Sequence, residues 1–136
     1  TEEFVQENHS RSGPGALRGL HYQVDPVQGK WISVRRGKIW DVAVDIRKES
    51  PTFGQHFSVE LSESNGKILW IPPGFAHGFC VLGDDFADVS YKVTGYYNPK
   101  TERGLRWNDS QLNIAWPLTN PVLSAKDSEL PSFSSL

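Results

Sequence analysis

The 136-residue chain predicts an all-β fold of antiparallel strands, rolled into a jelly-roll barrel, on three observations. Apolar and polar residues alternate in short runs, the two-residue period of a half-buried strand. Gly, Pro, Asn and Asp cluster between the runs, where the chain must turn. The tail from Asn98 onward is rich in Pro, Asn and Ser and shows no long helical period.

The elements follow in order. Phe4 to Asn8 alternates and puts Phe4, Gln6 and Asn8 on one face. Leu17 to Gln23 and Lys30 to Val34 are the next strands, and Arg35-Arg36-Gly37 reads as a tight hairpin turn. Lys38 to Ile46 is the clearest strand, with Trp40, Val42, Val44 and Ile46 on one face and Asp41 and Asp45 on the other. Phe57, Val59 and Leu61 continue the alternation, Ser64-Asn65-Gly66 turns, and Lys67 to Ile71 runs into the break at Pro72-Pro73-Gly74. His77 to Leu82 and Asp88 to Tyr96 are strands on either side of the polar loop at Gly83-Asp84-Asp85. No repeat, low-complexity stretch or second domain interrupts residues 1–136, so a single domain is expected.

Composition removes several functions. A net charge of -2 argues against a broad nucleic-acid surface, although one local cationic pocket for a phosphorylated ligand is compatible with it. No stretch approaches the length of a membrane span and no signal peptide is visible. The single cysteine, Cys80, excludes an internal disulfide and suits a reducing, cytoplasmic compartment; flanked by Phe79 and Val81, it reads as a core thiol. The chain contains no methionine and opens on Thr1-Glu2-Glu3, so a preceding N-terminal segment is expected.

Two spacings carry chemistry. Gly66 to His77 reads G-x5-P-x-G-x2-H and Gly15 to His21 reads G-x5-H, which resemble the two half-motifs of the cupins. In those motifs facing strands bring histidines and a carboxylate onto one metal. Here Gln23 stands where the first motif has its second histidine, and Val81 lies four residues beyond His77. Two imidazoles without a third strong ligand hold a divalent transition metal poorly, so a cupin-type scaffold without a metal is expected. His21 then becomes a candidate base. A competing metal site would use His21, His77 and Glu60.

Taken singly, the other candidates have bland readings. A lone histidine is more often a hydrogen-bonded structural residue, and Arg18 and Lys30 are more often solvated charges. Tyr91, on the same face as Val89 and Val93, suits core filling with a bonded hydroxyl. Asp127 suits a surface carboxylate. Composition and periodicity bring none of these groups together.

A resemblance does. Phe4 to Ser10, Leu17-Arg18-Gly19-Leu20-His21, Gln28-Gly29-Lys30, Asp41 to Arg47 and Ser50 to Gly54 resemble one family. So do Trp70-Ile71-Pro72, Gly74 to Phe79, Tyr91-Lys92, Trp107-Asn108-Asp109 and Leu123 to Asp127. The family is the dTDP-4-dehydrorhamnose 3,5-epimerases, metal-free cupins of deoxysugar-nucleotide synthesis, and the resemblance spans nearly the whole chain. It implies a dTDP-4-keto-6-deoxy sugar substrate, no metal, nicotinamide or flavin cofactor, and a homodimer. It makes His21 the general base, Asp127 its partner, Tyr91 the general acid and Lys30 the group beside the developing oxyanion. Arg18 and His77 would line the substrate pocket, while Gln6, Asn8, Glu102 and Lys126 match positions that contact the nucleotide. It also implies an earlier N-terminal segment that contacts the nucleotide and joins the neighbouring subunit's sheet. Two alternatives compete: an epimerase acting at C3 or C5 only, and a cupin that binds a sugar nucleotide without turnover.

Overall fold

The computed structural model describes residues 2–136. Nine strands run in order: β1 (Gln6–Ser12), β2 (Leu17–Gln23), β3 (Lys30–Arg36), β4 (Lys38–Asp45) and β5 (His56–Ser62). They continue with β6 (Ile68–Ile71), β7 (Phe75–Leu82), β8 (Ala87–Val93) and β9 (Glu102–Gly104), followed by the one-turn helix α1 (Ala125–Ser128). The expected barrel is not what forms. The strands make two separate antiparallel sheets, β1-β8-β3-β6 and β5-β4-β7-β2-β9, and neither closes on itself. Four edge strands, β1, β6, β5 and β9, each have one strand neighbour only, so the architecture is a two-sheet sandwich.

The expected hairpin at Arg35-Arg36-Gly37 is likewise a corner between sheets. β3 pairs with β6 and β8, whereas β4 pairs with β5 and β7, so the two strands flanking Gly37 do not pair with each other. Gly37 has φ +76°, and a Cβ there would lie 2.3 Å from the Phe86 carbonyl oxygen. Only glycine turns this tightly against the next crossing.

Alternation decides which residues fill the space between the sheets. Ile32 and Val34 of β3, Ile39 and Ala43 of β4, Phe79 and Val81 of β7 and Ala87 and Val89 of β8 form the inner core. Burial of each large aliphatic side chain there contributes roughly 1.5–3 kcal/mol. The outer face of the five-stranded sheet is also buried, which explains why β4 reads as apolar on one side and yet keeps Asp41 and Asp45 inside. Leu20, Val42, Val44 and Ala76 pack beneath Leu105, Leu112, Ile114, Trp116 and Phe133 of the C-terminal tail. Buried Asp109 staples that tail: its carboxylate accepts from the N–H groups of Gln111, Leu112 and Phe133. Asp45 accepts from Arg47, Ser50 and Thr52, so the block after β4 is a structural loop clamp.

Cys80 is fully buried, and that burial pushes its thiol up to about 11, which suits the core role expected of it. Among the described residues no helix is long and apolar enough to cross a membrane.

Candidate active site

The inner core gives way at one end of the sandwich to a polar cavity of about 180 Å³. Asn8 of β1 and Tyr91 of β8 lie directly opposite each other, and Tyr91 is in turn opposite Ile32 of β3. Lys30 is two residues from Ile32 on the same strand, so it projects from the same face. The other sheet contributes His21 and His77, cross-strand partners on β2 and β7. The cavity wall therefore unites Arg18, His21, Lys30, His77, Tyr91 and Glu102.

One irregularity makes this possible. Arg18 is paired with Phe79 and His21 with His77, so three steps along β2 match two along β7. The extra residue is a β-bulge, which reorients side chains locally. In a regular strand residues 18 and 21 would face opposite ways; here both reach the cavity. Gly19 sits in the bulge with φ +118°, and a Cβ would lie 2.7 Å from Gly78 Cα and from the His77 carbonyl oxygen. Leu20, pointing the other way, is completely buried under the tail.

Asp127 arrives from 106 residues away. The stretch before α1 is anchored by a bridge between Val122 and Ala16, the residue just before β2, with Leu17 N–H donating to Val122 O at 2.9 Å. Ser124 caps α1 by accepting from Asp127 N–H at 3.0 Å. Asp127 Oδ1 then lies 2.6 Å from His21 Nε2, while Oδ2 accepts from Gly19 N–H at 3.1 Å. Burial of Asp127 works to raise its pKa, but the His21 hydrogen bond and charge, the Gly19 N–H and Lys126 outweigh it and leave the carboxyl below its ordinary value. It therefore stays an anion beside the imidazole.

Tyr91 and Lys30 are shifted in ways that bear on proton transfer. Burial, then the Glu102 charge, raises the Tyr91 phenol, so it remains protonated at neutral pH. Burial lowers the Lys30 ammonium to about 8 against the opposing pull of Asp41 and Glu102. His77 is buried and its Nε2 lies 2.9 Å from Asp41 Oδ2.

Asn8 lines the wall too, whereas Gln6 and Lys126 sit just outside it. Gln6 donates to Asn8 Oδ1 at 2.8 Å and accepts from Tyr97 N–H at 3.0 Å, bracing the cavity mouth without lining it. Lys126 is exposed and ion-paired with Glu102. Ser10, Gln28, Phe79 and Tyr97 line the cavity as well; the first three fall inside the motifs that carry the resemblance, while nothing in the sequence singles out Tyr97. Glu60 is exposed on edge strand β5, so it cannot join His21 and His77, and among the described residues no three His, Cys, Asp or Glu side chains gather into a ligand group.

An all-β sandwich whose cavity gathers a histidine paired with a carboxylate, a protonated tyrosine and a half-buried lysine carries the side-chain types that acid–base chemistry uses. Comparison with known proteins makes the assignment specific. The family model described as dTDP-4-dehydrorhamnose 3,5-epimerase matches residues 1–135. The chain is 56% identical over 126 residues to the dTDP-4-dehydrorhamnose 3,5-epimerase of Shigella flexneri, covering 92% of this chain and 69% of that protein. It is 60% identical over 125 residues to the enzyme of the same name from Neisseria gonorrhoeae, covering 91% of this chain and 38% of that protein. Among solved structures, it superposes with a TM-score of 0.95 and 52% identity on a Legionella pneumophila dTDP-6-deoxy-D-glucose-3,5-epimerase in complex with dTDP-4-keto-L-rhamnose. That match covers 98% of this chain and 71% of the Legionella protein. The chain belongs to the dTDP-4-dehydrorhamnose 3,5-epimerase family.

Proposed function

We propose that His21, Tyr91 and Lys30 carry out the family reaction in this chain: inversion of C3 and C5 of dTDP-4-dehydro-6-deoxy-D-glucose to give dTDP-4-dehydro-L-rhamnose. The activity is that of a 3,5-epimerase of dTDP-L-rhamnose biosynthesis, and identities above 50% to proteins of that name support it. The observation that carries the residue roles is the 2.6 Å His21–Asp127 contact in a cavity shared with Tyr91 and Lys30.

The C4 ketone acidifies the hydrogens on its neighbours C3 and C5. The Asp127 carboxylate accepts from His21 Nε2–H, which leaves the basic lone pair on Nδ1; taking the proton from carbon there leaves an imidazolium that the carboxylate stabilises. The electron pair moves onto the C4 oxygen as an enolate, and the Lys30 ammonium faces that charge. Tyr91 returns a proton to the opposite face of the same carbon, so the centre inverts and the net redox state is unchanged. His21 must then lose its proton and Tyr91 regain one before the second carbon reacts. Arg18, His77, Gln6, Asn8, Glu102 and Lys126 hold the sugar nucleotide around this centre.

NMR of the keto-sugar nucleotide in deuterated water tests the assignment. Deuterium enters at both C3 and C5 in the proposed reaction, whereas incorporation at one centre marks a narrower epimerase and none marks a binding protein. A pH profile tests Lys30. Its ammonium is charged below about 8 and supports the enolate; above that the neutral amine does not. Turnover is expected to fall as pH rises through about 8, and a rate flat to well above that value would remove Lys30 from the oxyanion.

The homodimer is part of the same proposal. Trp31, Ile68 and Trp70 are exposed together on the outer face of the four-stranded sheet, and Phe4, which precedes β1, lies edge-on to both tryptophan rings instead of sharing the cavity face of Asn8 as alternation predicts. Such an apolar face suits a second copy of the chain. Sedimentation equilibrium checks it, and a single-chain mass at micromolar concentration counts against it.

A further inference from the structure

We propose that Asp41 is a positioning residue for this reaction: it sets the tautomer in which His77 Nδ1 accepts a hydrogen bond from a sugar hydroxyl, and it keeps Lys30 charged beside the ketone oxygen. This deepens the keto-sugar reading of the cavity and rests on it.

Asp41 lies in the middle of β4 and is completely buried. Its Oδ2 meets His77 Nε2 at 2.9 Å, while Oδ1 is buried without any hydrogen-bond partner among the described residues. A bare buried carboxylate oxygen calls for an explanation beyond packing. A carboxylate offers only lone pairs, so the hydrogen of the contact sits on Nε2. The neutral ring then carries a lone pair on Nδ1. His77 lines the cavity, and among the described residues its Nδ1 has no partner. The cavity therefore presents an acceptor at His77 and a donor at Lys30. A ketone oxygen satisfies the ammonium, and a hydroxyl on a neighbouring carbon satisfies the imidazole. The pair together selects a keto sugar with a hydroxyl beside its carbonyl.

The second half concerns charge. Asp41 on β4 and Glu102 on β9 are the acidic groups that act on Lys30, and both hold its proton on. His21 of β2, His77 of β7 and Tyr91 of β8 share its cavity, with Tyr97 at the mouth. Arg18 faces the same cavity, and Tyr22 and Lys48 approach Lys30 from its other side; neither cation favours a third positive charge. Without Asp41, Glu102 would be the remaining anion acting on Lys30, and it is already ion-paired with Lys126.

The wild-type protein provides the first test. Imidazole ¹⁵N spectra, with the His77 signals assigned by their loss in His77→Asn, should show a protonated Nε2 and an unprotonated Nδ1 near neutral pH. A proton on Nδ1 overturns the tautomer. Asp41→Asn provides the second. The amide can donate as well as accept, so the His77 tautomer becomes mixed, and the missing charge moves the alkaline limb of turnover to lower pH by about one unit. That shift is about a fivefold loss at pH 8, approaching tenfold at higher pH, with a much smaller loss at pH 6.5. An unmoved alkaline limb overturns the charge role, which a merely structural aspartate would not affect. If Asp41→Asn fails to fold, the wild-type spectrum still decides the tautomer. Failure of the keto-sugar reading looks different: the imidazole spectrum is as expected while the keto sugar exchanges no hydrogen.

Discussion

His21→Asn abolishes hydrogen exchange at both C3 and C5, lowering turnover by about 10²–10⁴-fold. The amide is close to imidazole in polarity and can still bond Asp127, so α1 stays docked on β2. What it cannot do is accept a proton at neutral pH. Both centres depend on the same base in the proposed reaction, so both fall together. Exchange of the C3 and C5 hydrogens with deuterated water, followed by NMR, reads the effect directly. Loss at one carbon with retention at the other would assign a second base and reject the single-base reading. Asp127→Asn is the milder companion, because the ring keeps its lone pair while losing the anion 2.6 Å away that stabilises its charged form.

Tyr91→Phe separates enolisation from inversion. The phenol is half-buried against the inner core and lies opposite Asn8, so phenylalanine fills the same space and the fold is retained. His21 and Lys30 are untouched, and the enolate still forms. Without the phenolic proton it collapses back from the face it came from, or takes a proton slowly from solvent. Deuterium incorporation therefore persists while inverted product falls by about 10²-fold or more. Equal loss of exchange and inversion would show that the tyrosine is needed for enolisation or for cavity shape, and its role as the acid would be wrong. Burial raises the phenol in this site, which keeps the proton available across neutral pH.

Much of this molecule was legible in its residues. Two-residue alternation located the strands, because a half-buried strand must put its apolar side chains on one face. The starts of β2, β3 and β4 are where the pattern puts them; β1 begins two residues later than Phe4, and β8 closes at Val93 instead of Tyr96. Short motifs around His21, Lys30, Tyr91 and Asp127 singled out the proposed groups only through the resemblance, because each residue taken alone has a bland structural reading. The resemblance named the family that the comparisons then showed.

Sheet membership was not legible. Gly37 looks like a hairpin glycine, but its positive φ serves a corner as well as a hairpin, and only pairing partners distinguish them. For the same reason a run of alternating strands cannot distinguish an open sandwich from a closed barrel; closure depends on whether edge strands find one another. The bulge at Gly19 was hidden too, and it turns Arg18 and His21 to one side against the parity of their positions. Asp127 was a surface carboxylate by its own neighbourhood until the C-terminal tail, burying the outer face of the five-stranded sheet, carried it to His21. Residue identity set the chemistry available to this chain. Long-range burial of apolar area, which no local spacing encodes, brought that chemistry to one cavity.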